Sequence, residues 1–253
     1  MNAFQNGGTS RPKLTWVDGA TFSVGGHKIT MDYEYGGSKR ASGQSDFTMM
    51  KSRSFLDQYL AHVEEDFKHI LELGVYQGGS FVFLNEVFQP ERISGIELSE
   101  VPIPALDKYI SERQGRANLY YGTSQDNESR LAEIIEHDFG GRLDLVVDDA
   151  SHFYNQTKVS FRAAFQKLRP GGLYIIEDWS WSFFDDYQAP DHPWSEHHSL
   201  ANLSIDLMEE MALGSMIAEV IVSPHMIKIR RSGEKSAPVF VKENRRGREY
   251  KLI

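Results

Sequence analysis

The sequence contains no cysteine, so it can form neither disulfide bonds nor thiolate metal sites. It also lacks an apolar run long enough to cross a membrane, and its first residues, MNAFQNGGTSRPKL, lack the apolar core of a signal peptide. Basic residues are outnumbered by acidic ones, 27 to 36, and the net charge of −9 argues against a nucleic-acid partner. These absences predict a cytoplasmic protein that binds neither nucleic acid nor a membrane.

The length of the chain predicts one large domain with an appendage. It has 253 residues, of which 40% are hydrophobic and 25% charged, as in a globular protein. Residues 1–12 predict a loose tail, the glycines within 13–30 predict a β-hairpin, and the Gly- and Ser-rich stretch at 33–47 predicts a loop with a lid element, YEYGG. We therefore expect an N-terminal extension over 1–47 and a main domain over 48–253 that opens with a helix at 48–66.

From residue 69 onward, short apolar runs alternate with amphipathic segments. The runs predict strands at 69–75, 92–98, 117–122, 143–149 and 172–178. The amphipathic segments predict helices at 78–88, 104–114, 127–139, 155–168 and 199–213. This alternation is typical of an α/β protein with a Rossmann-like, doubly wound, mostly parallel sheet. The segment 218–244 predicts two further strands around a turn at Ser232–Glu234, which form an antiparallel hairpin at the sheet edge.

The carboxyl ends of the first three strands carry residues suited to a nucleoside-containing cofactor, because ligands of open α/β sheets bind outside those ends. Glycine there allows a close approach of the backbone and frees helix N–H groups, and an acid after the second strand can bind ribose hydroxyls. The residues are Gly74, Gly78, Gly79, Glu97, Ser124, Gln125 and Asp126. The alternative is that the glycines are ordinary turn residues and Glu97 is a solvated strand end.

Two later strands end in pairs of carboxylates, Asp148-Asp149 and Glu177-Asp178. If these strands are neighbours, Asp149, Glu177 and Asp178 meet at one rim and repel each other unless a cation neutralises them. Oxygen ligands alone suit a hard cation, so we predict Mg²⁺, with Mn²⁺ also suitable. His152 follows Asp149 by three residues and can take a proton from a hydroxyl. Each acid alone also suits a helix cap or a solvated strand end.

An aromatic segment, WSWSFFDDYQAPDHPWSEHH, follows the second carboxylate pair at 179–198. Aromatic faces pack against sugar rings, so the segment predicts a wall or lid over an acceptor. The alternative is that Trp179 and Trp181 anchor a long loop to the core. The apolar stripe of the following helix predicts either core packing or a subunit interface.

The first strand end also resembles a known family. Its pattern E-x-G-x-x-x-G-G differs from the dinucleotide fingerprint and resembles motif I of the class I S-adenosylmethionine-dependent methyltransferases. LRPGGLYIIED at 168–178 resembles that family's turn into its fifth strand, and the resemblance covers roughly 50–245. It implies S-adenosylmethionine as cofactor, with Glu72 and Gly74 near the methionine part and Glu97 on the ribose. The other implied cofactor-binding residues are Gly78, Gly79, Ser80, Ser124, Gln125, Asp126 and Asp148.

The pattern D-x-x-H followed by E-D resembles the metal-dependent sugar O-methyltransferases, which include the macrolide sugar and methylmannose polysaccharide enzymes. Cephalosporin-hydroxylase-like proteins share much of it. The resemblance implies that Asp149, Glu177 and Asp178 bind the metal, that His152 is the general base, and that Asp149 is also catalytic. It implies methylation of a hydroxyl on a sugar, glycoside or oligosaccharide by a self-associating enzyme.

Three other functions remain open at this point. The first is methylation of a catechol or small phenol. The second is a nucleotide-dependent, hydroxylase-like oxidoreductase. The third is a binding module that keeps the cofactor fold without catalysis.

Overall fold

Two β-sheets and six α-helices make up the described part of the chain, which in this computed structural model comprises residues 13–33, 40–214, 216–233 and 239–240. The expected tail lies outside these residues, as does the lid element apart from Tyr33. The helices are α1 (Arg53–Leu60), α2 (Gly79–Phe88), α3 (Pro104–Ser111), α4 (Glu128–Phe139), α5 (Tyr154–Phe165) and α6 (Ala201–Ala212). No helix among them has the length and apolar character needed to span a bilayer.

The smaller sheet contains β1 (Thr15–Trp16), β2 (Thr21–Val24), β3 (His27–Met31) and β4 (Asp46–Met49). The larger sheet contains β5 (His69–Leu73), β6 (Arg92–Ile96), β7 (Ala117–Tyr120), β8 (Leu143–Asp148), β9 (Leu168–Glu177), β10 (Ile217–Val222) and β11 (Met226–Arg231). Two short 3₁₀ turns, Trp181–Phe183 and Asp185–Tyr187, lie within the aromatic segment.

The larger sheet has the strand order β10-β11-β9-β8-β5-β6-β7. Strands β5 to β9 are parallel, and β11 pairs antiparallel with both β9 and β10. This confirms the predicted α/β fold with a mostly parallel sheet and an antiparallel edge hairpin. Because strand order reverses between β5 and β8, a crevice opens at their carboxyl ends.

The predicted turn of the edge hairpin was wrong. The chain reverses between β10 and β11, where the Ser223 N–H donates to the Met226 carbonyl at 2.9 Å, and not at 232–234. Pro224 lies in this turn and has no N–H for a strand ladder. The residues after it alternate correctly for a strand, since Ile227 and Ile229 are fully buried against the sheet.

Helices cover both faces of the larger sheet, because successive side chains of each strand point to opposite sides. On one face Ile70, Leu145 and Ile175 pack with α1, α2 and α3. On the other face the neighbouring residues Leu71, Val146 and Ile176 pack with α4, α5 and α6. The sheet is therefore doubly wound, and its buried strands are the uninterrupted apolar runs of the sequence.

The smaller sheet is larger than the predicted hairpin. Strands β1, β2 and β3 form an antiparallel meander, and β4 joins β3 in parallel. The predicted helix at 48–66 is shorter than expected: Phe47 and Met49 are buried strand residues, and the helix begins only at Arg53. The expected domain boundary between residues 47 and 48 thus lies within β4, and Phe22 and Phe47 share one core with α2 and α3.

Candidate active site

A cavity of about 420 Å³ lies at the carboxyl ends of β5, β6, β7 and β8. Five of the residues that the sequence predicts for cofactor binding line it: Gly74, Glu97, Ser124, Gln125 and Asp126. Asp149 lines it as well, together with Tyr76, Thr123, Phe153 and Gln156, which the sequence does not single out. The cavity therefore occupies the crevice expected from the strand order.

Three residues around the cavity hold a left-handed backbone conformation that side chains other than glycine rarely adopt. These are Tyr76, His152 and Asp178, with φ angles of 50°, 59° and 49°. Such conformations cost on the order of 1–3 kcal/mol each and are concentrated at functional sites. Each of the three follows the end of a strand of the parallel sheet, so the strain is located where the predicted site residues meet.

Gly74 brings the ends of two neighbouring strands together. Its φ is +82°, and a Cβ at this position would lie 2.3 Å from the Asp149 carbonyl oxygen. The Asp149 N–H in turn donates to the Leu73 carbonyl at 2.9 Å. Glycine is required here because the backbone after β5 packs directly on the backbone after β8.

The other predicted glycines do not line the cavity. A Cβ on Gly78 would lie 2.8 Å from the Leu106 side chain, and one on Gly79 would lie 2.4 Å from the Thr48 carbonyl oxygen. These glycines let α3 and β4 pack closely on the start of α2. Ser80, in the first turn of that helix, is buried.

Glu97 organises the loop after β5. One of its carboxylate oxygens accepts from the Tyr76 N–H at 3.0 Å and the Val75 N–H at 3.3 Å, and the other accepts from the Ser99 N–H at 3.0 Å. A carboxylate has about four acceptor sites. Glu97 can therefore fix the loop and still accept a hydrogen bond from a ligand hydroxyl.

Asp148 lies behind the cavity, in a buried network. Its carboxylate accepts from Gln125 Nε2 at 3.1 Å, Ser160 Oγ at 2.7 Å and the Tyr174 hydroxyl at 2.7 Å. Burial raises the pKa of Asp148 to about 6, although the Ser160 and Tyr174 hydroxyls act in the opposite direction. Gln125 Oε1 accepts from the Ser151 N–H at 2.7 Å, so this network holds the loop that carries Asp149 and His152.

Glu72, two residues before Gly74 in β5, is fully buried, and neither of its carboxylate oxygens has a hydrogen-bond partner among the described residues. Burial raises the pKa of Glu72 to about 8, while the Ser80 hydroxyl and the Lys51 ammonium lower it. A buried acid without a partner is costly, which makes Glu72 suited to a cationic ligand group.

The predicted metal-binding carboxylates do not share one environment. Asp149, His152 and Asp178 each have a ligand atom within 4.8 Å of the others. His152 Nε2 is 3.9 Å from Asp149 Oδ1. Glu177 is instead 1% exposed, with Oε2 2.6 Å from Lys51 Nζ and Oε1 bonded to the Tyr59 hydroxyl. Sequence reasoning missed Lys51 and Tyr59 because no motif marks either residue.

The charges in this cluster do not balance. Burial alone would lower the pKa of Lys51, but the Asp149 and Glu177 carboxylates raise it far above its ordinary value, so the ammonium stays charged. Burial and the Asp149 charge raise the pKa of Glu177, while the Lys51 ammonium lowers it, and burial and Asp149 also raise the pKa of Asp178. One ammonium among several carboxylates leaves excess negative charge, and the oxygen donors of Asp149 and Asp178 fit a hard divalent cation there.

The aromatic segment lies over the loop that carries His152. Trp181 Nε1 donates to the His152 carbonyl at 2.8 Å. The Trp194 ring is 6.2 Å from the His152 ring and 5.1 Å, edge to face, from Phe153, which lines the cavity. Trp181 is nearly buried and anchors the segment, whereas Trp194 is half-buried beside the candidate catalytic residues.

Residues 71–179, which include these strand ends, match the family model described as a methyltransferase domain. Mycinamicin VI 2''-O-methyltransferase from Micromonospora griseorubida is 27% identical over 198 residues, or 69% of this chain and 47% of that protein. The 8-demethyl-8-(2-methoxy-alpha-L-rhamnosyl)-tetracenomycin-C 3'-O-methyltransferase from Streptomyces olivaceus is 32% identical over 129 residues, or 48% of this chain and 30% of that protein. The chain thus spans less than half the length of these curated relatives.

A solved structure shares the fold of this chain. The MycE methyltransferase from the mycinamycin biosynthetic pathway, solved in complex with Mg and SAH, aligns with a TM-score of 0.54 and 21% identity. The alignment covers 74% of this chain and 51% of that one. The Rossmann-like fold expected from the sequence is therefore present.

Proposed function

We propose that this protein is an S-adenosylmethionine- and Mg²⁺-dependent O-methyltransferase that acts on a hydroxyl of a sugar in a glycoside or oligosaccharide. The position of Asp149 is the observation that carries the proposal. This residue lines the cavity at the strand ends and also belongs to the group with Asp178 and His152. A cofactor site and a cation site therefore adjoin, as transfer from one ligand to another requires.

The cavity residues support a role in holding the cofactor. Glu97 would accept from ribose hydroxyls, and the loop with Ser124, Gln125 and Asp126 would enclose the adenine end. Glu72, buried without a partner, would face the amino group of the methionine part. When bound, S-adenosylmethionine supplies the reactive methyl group, and Mg²⁺ supplies positive charge beside the acceptor oxygens.

Asp149 and Asp178 would hold the cation, and His152 would act as general base. The His152 side chain is 18% exposed and points toward the Asp149 carboxylate, so its Nε2 can accept the proton of an acceptor hydroxyl. Trp181 and the backbone strain at residue 152 keep the imidazole beside the cavity. Glu177, the third predicted ligand, has both oxygens engaged by Lys51 and Tyr59.

The aromatic segment favours a sugar as the acceptor. Phe153 lines the cavity, and Trp194 packs against Phe153 beside His152. The curated relatives are named for methylation of glycosides of natural products, which supports an acceptor of this class in natural-product or polysaccharide biosynthesis. The MycE protein has also been solved with mycinamycin VI.

Self-association and a cytoplasmic location are also part of the proposal. Apolar side chains are exposed at the end of α6 and on the outermost strand β10, and these surfaces would suit a homo-oligomer contact. They are Met208, Met211, Leu213, Ile221 and Val222. Light scattering of the purified protein would measure the oligomer directly.

The proposed activity is tested by calorimetric titration with S-adenosylhomocysteine, followed by a transfer assay on glycosides with vicinal hydroxyls. We expect binding that survives chelation and methyl transfer that chelation abolishes. Asp149→Ala should abolish transfer, and His152→Ala should lower kcat by about 10²–10⁴-fold with cofactor and metal binding retained. The exposed His137→Ala on α4 is the matched control and should leave the rate unchanged.

Each outcome bears on a different part of the proposal. Absence of S-adenosylhomocysteine binding would refute the cofactor assignment. Transfer to catechols but not to glycosides would replace the acceptor class. Full activity of the Asp149 variant in the presence of chelator would refute the proposed role of the metal.

A further inference from the structure

The turn between β10 and β11 lies at the same rim of the larger sheet as the candidate active site. Strand β11 runs antiparallel to β9, and Met226 at its start pairs with Glu177 at the end of β9. His225 comes one residue earlier than Met226 and therefore lies beside Asp178. The Asp178 N–H donates to the His225 carbonyl at 3.0 Å, which extends the pairing by one residue.

Three further hydrogen bonds hold this turn in place. Trp179 Nε1 donates to the Ser223 carbonyl at 2.8 Å, and Ser180 Oγ donates to the Pro224 carbonyl at 3.2 Å. Ser223 Oγ donates to Gln58 Oε1 of α1 at 2.7 Å. The turn is thus bonded both to the segment after β9 and to α1, so it is a fixed part of the rim.

The imidazole of His225 is held by a ring contact and keeps its hydrogen-bonding atoms open. It stacks on the buried Phe55 ring of α1, with the ring centroids 4.7 Å apart and an angle of 25° between the planes. The imidazole is half-buried, and it is close enough to the Asp178 carboxylate to interact with its charge. Neither ring nitrogen has a hydrogen-bond partner among the described residues. A ring fixed in this way, with one donor and one acceptor open, suits a polar group of a ligand.

The strand order places His225 on the side of the cation group that faces away from the cofactor cavity. Along the rim the order is β5, β8, β9 and β11. The cavity lies at the ends of β5 to β8, Asp149 and His152 follow β8, and Asp178 follows β9. His225 comes next along the rim and is not among the residues that line the cavity. An acceptor bound at the cation would therefore have the cofactor on one side and His225 on the other.

We propose that His225 is a specificity-determining residue that binds a hydroxyl of the acceptor sugar other than the one that is methylated. This inference rests on the proposed function, which supplies the cofactor, the cation and the sugar. A hydroxyl both donates and accepts hydrogen bonds, so it can pair with either tautomer of the imidazole. His152 and His225 would then have separate roles, since the first takes the proton of the reacting hydroxyl and the second orients the sugar. The acceptor class is thereby narrowed to sugars with at least two free hydroxyls.

The test is a calorimetric titration of methyl α-L-rhamnopyranoside and of methyl α-D-mannopyranoside into the full-length protein, saturated with Mg²⁺ and S-adenosylhomocysteine. His225→Phe keeps a ring for stacking on Phe55 and removes the hydrogen-bonding atoms, whereas His225→Gln keeps a hydrogen-bonding group. We expect His225→Phe to bind the tighter of the two glycosides about three- to tenfold more weakly, as for the loss of one hydrogen bond, and His225→Gln to recover part of this loss. His137→Phe is the same change on an α4 side chain that is 78% exposed, and it should bind as the wild type does.

The affinities for S-adenosylhomocysteine and Mg²⁺ separate a specificity role from a structural one. Both should be unchanged in the His225 variants, and a parallel loss of all three affinities would overturn the inference. Undiminished glycoside binding by His225→Phe would overturn it as well. If this variant does not fold, crystals of the wild type with the glycoside decide the matter: a sugar oxygen within about 3.2 Å of a His225 ring nitrogen supports the inference, and its absence overturns it.

Failure of the proposed function gives a different result. Wild-type protein that binds S-adenosylhomocysteine but neither glycoside would refute the sugar acceptor, and the inference with it. Wild-type protein that does not bind S-adenosylhomocysteine would refute the cofactor assignment on which both depend. Loss of the inference alone requires glycoside binding that is independent of His225.

Discussion

Glu72 makes the stability of the protein depend on pH. Its folded-state pKa is about 8, against an ordinary value of 4.5, because burial disfavours the charged carboxylate. Between these two pH values the folded state holds a proton that the unfolded chain releases. The free energy of unfolding contributed by this group is therefore present below pH 4.5 and is lost as the pH rises toward 8.

We expect Glu72→Gln to flatten this dependence. Urea unfolding at pH 5 and pH 8 should show a loss of stability on the order of a few kcal/mol in the wild type, and a smaller loss in the variant. Glu133→Gln, whose side chain is 66% exposed, is the control and should follow the wild type. Parallel curves for Glu72→Gln and the wild type would contradict the assignment.

Gly74 determines how closely the ends of strands β5 and β8 can pack. An alanine at position 74 would have to adopt a left-handed φ, and its Cβ would also clash with the Asp149 carbonyl oxygen. An alanine at position 115 would have to adopt a similar φ of +78°, but no atom lies within 4 Å of its Cβ. Gly115→Ala should cost about 1–2 kcal/mol from the backbone alone. Gly74→Ala should cost clearly more and weaken S-adenosylhomocysteine binding, because β8 must move away from β5.

Urea unfolding and calorimetry of the two glycine variants separate these effects. Equal losses of stability, with cofactor affinity unchanged in both, would show that the close approach of the two strand ends has no energetic role.

The aromatic segment is a second element with a testable role. Truncation of Trp194 removes the ring that packs on Phe153 beside His152. We expect kcat/KM for a glycoside acceptor to fall by about tenfold, or ~1.4 kcal/mol, with a smaller change in S-adenosylhomocysteine affinity. Trp16→Ala in the smaller sheet is the same change away from the site and should leave both constants unchanged. An effect on cofactor binding larger than that on the acceptor would assign Trp194 to the cofactor.

At the scale of the whole molecule, the smaller sheet shares one core with the larger sheet and the helices α1, α2 and α3. Phe47 of β4 is fully buried and packs 5.7 Å from the Tyr109 ring of α3. Phe47→Ala should therefore lower the stability of the entire protein by about 3–5 kcal/mol in a single unfolding transition. Phe183→Ala, 47% exposed, should change it by less than about 0.5 kcal/mol. A separate early transition in the Phe47 variant would mean that the smaller sheet unfolds independently.

Much of the fold could be predicted because the parallel strands are buried on both faces, so each of them is an uninterrupted apolar run in the sequence. Strand β4 was missed because its four residues resemble the start of the next helix, and only pairing with β3 makes them a strand. The edge turn was misplaced because a glycine at 233 is a stronger local turn signal than Ser223-Pro224-His225.

The candidate site was predictable only in part, because some of its residues come together only through tertiary packing. Residues directly after strands, such as Gly74 and Glu97, were brought to the cavity by the parallel topology alone. Asp148 lies one position earlier on its strand, and its carboxylate is bonded within the buried network behind the cavity. Lys51 depends on how the smaller sheet docks, which no local pattern encodes. The ligand roles assigned to Asp149, Glu177 and Asp178 stay predictions until metal binding is measured.

The distribution of tryptophan supplies an optical signal. Three of the four tryptophans lie in the segment over the His152 loop, and Trp181 and Trp194 contact each other at 5.1 Å. Indole emission responds to nearby charge and to water, so most of the intrinsic fluorescence of this protein originates beside its candidate active site. Acceptor screening can therefore proceed without a label, by following quenching or a shift of the emission maximum as glycosides are added.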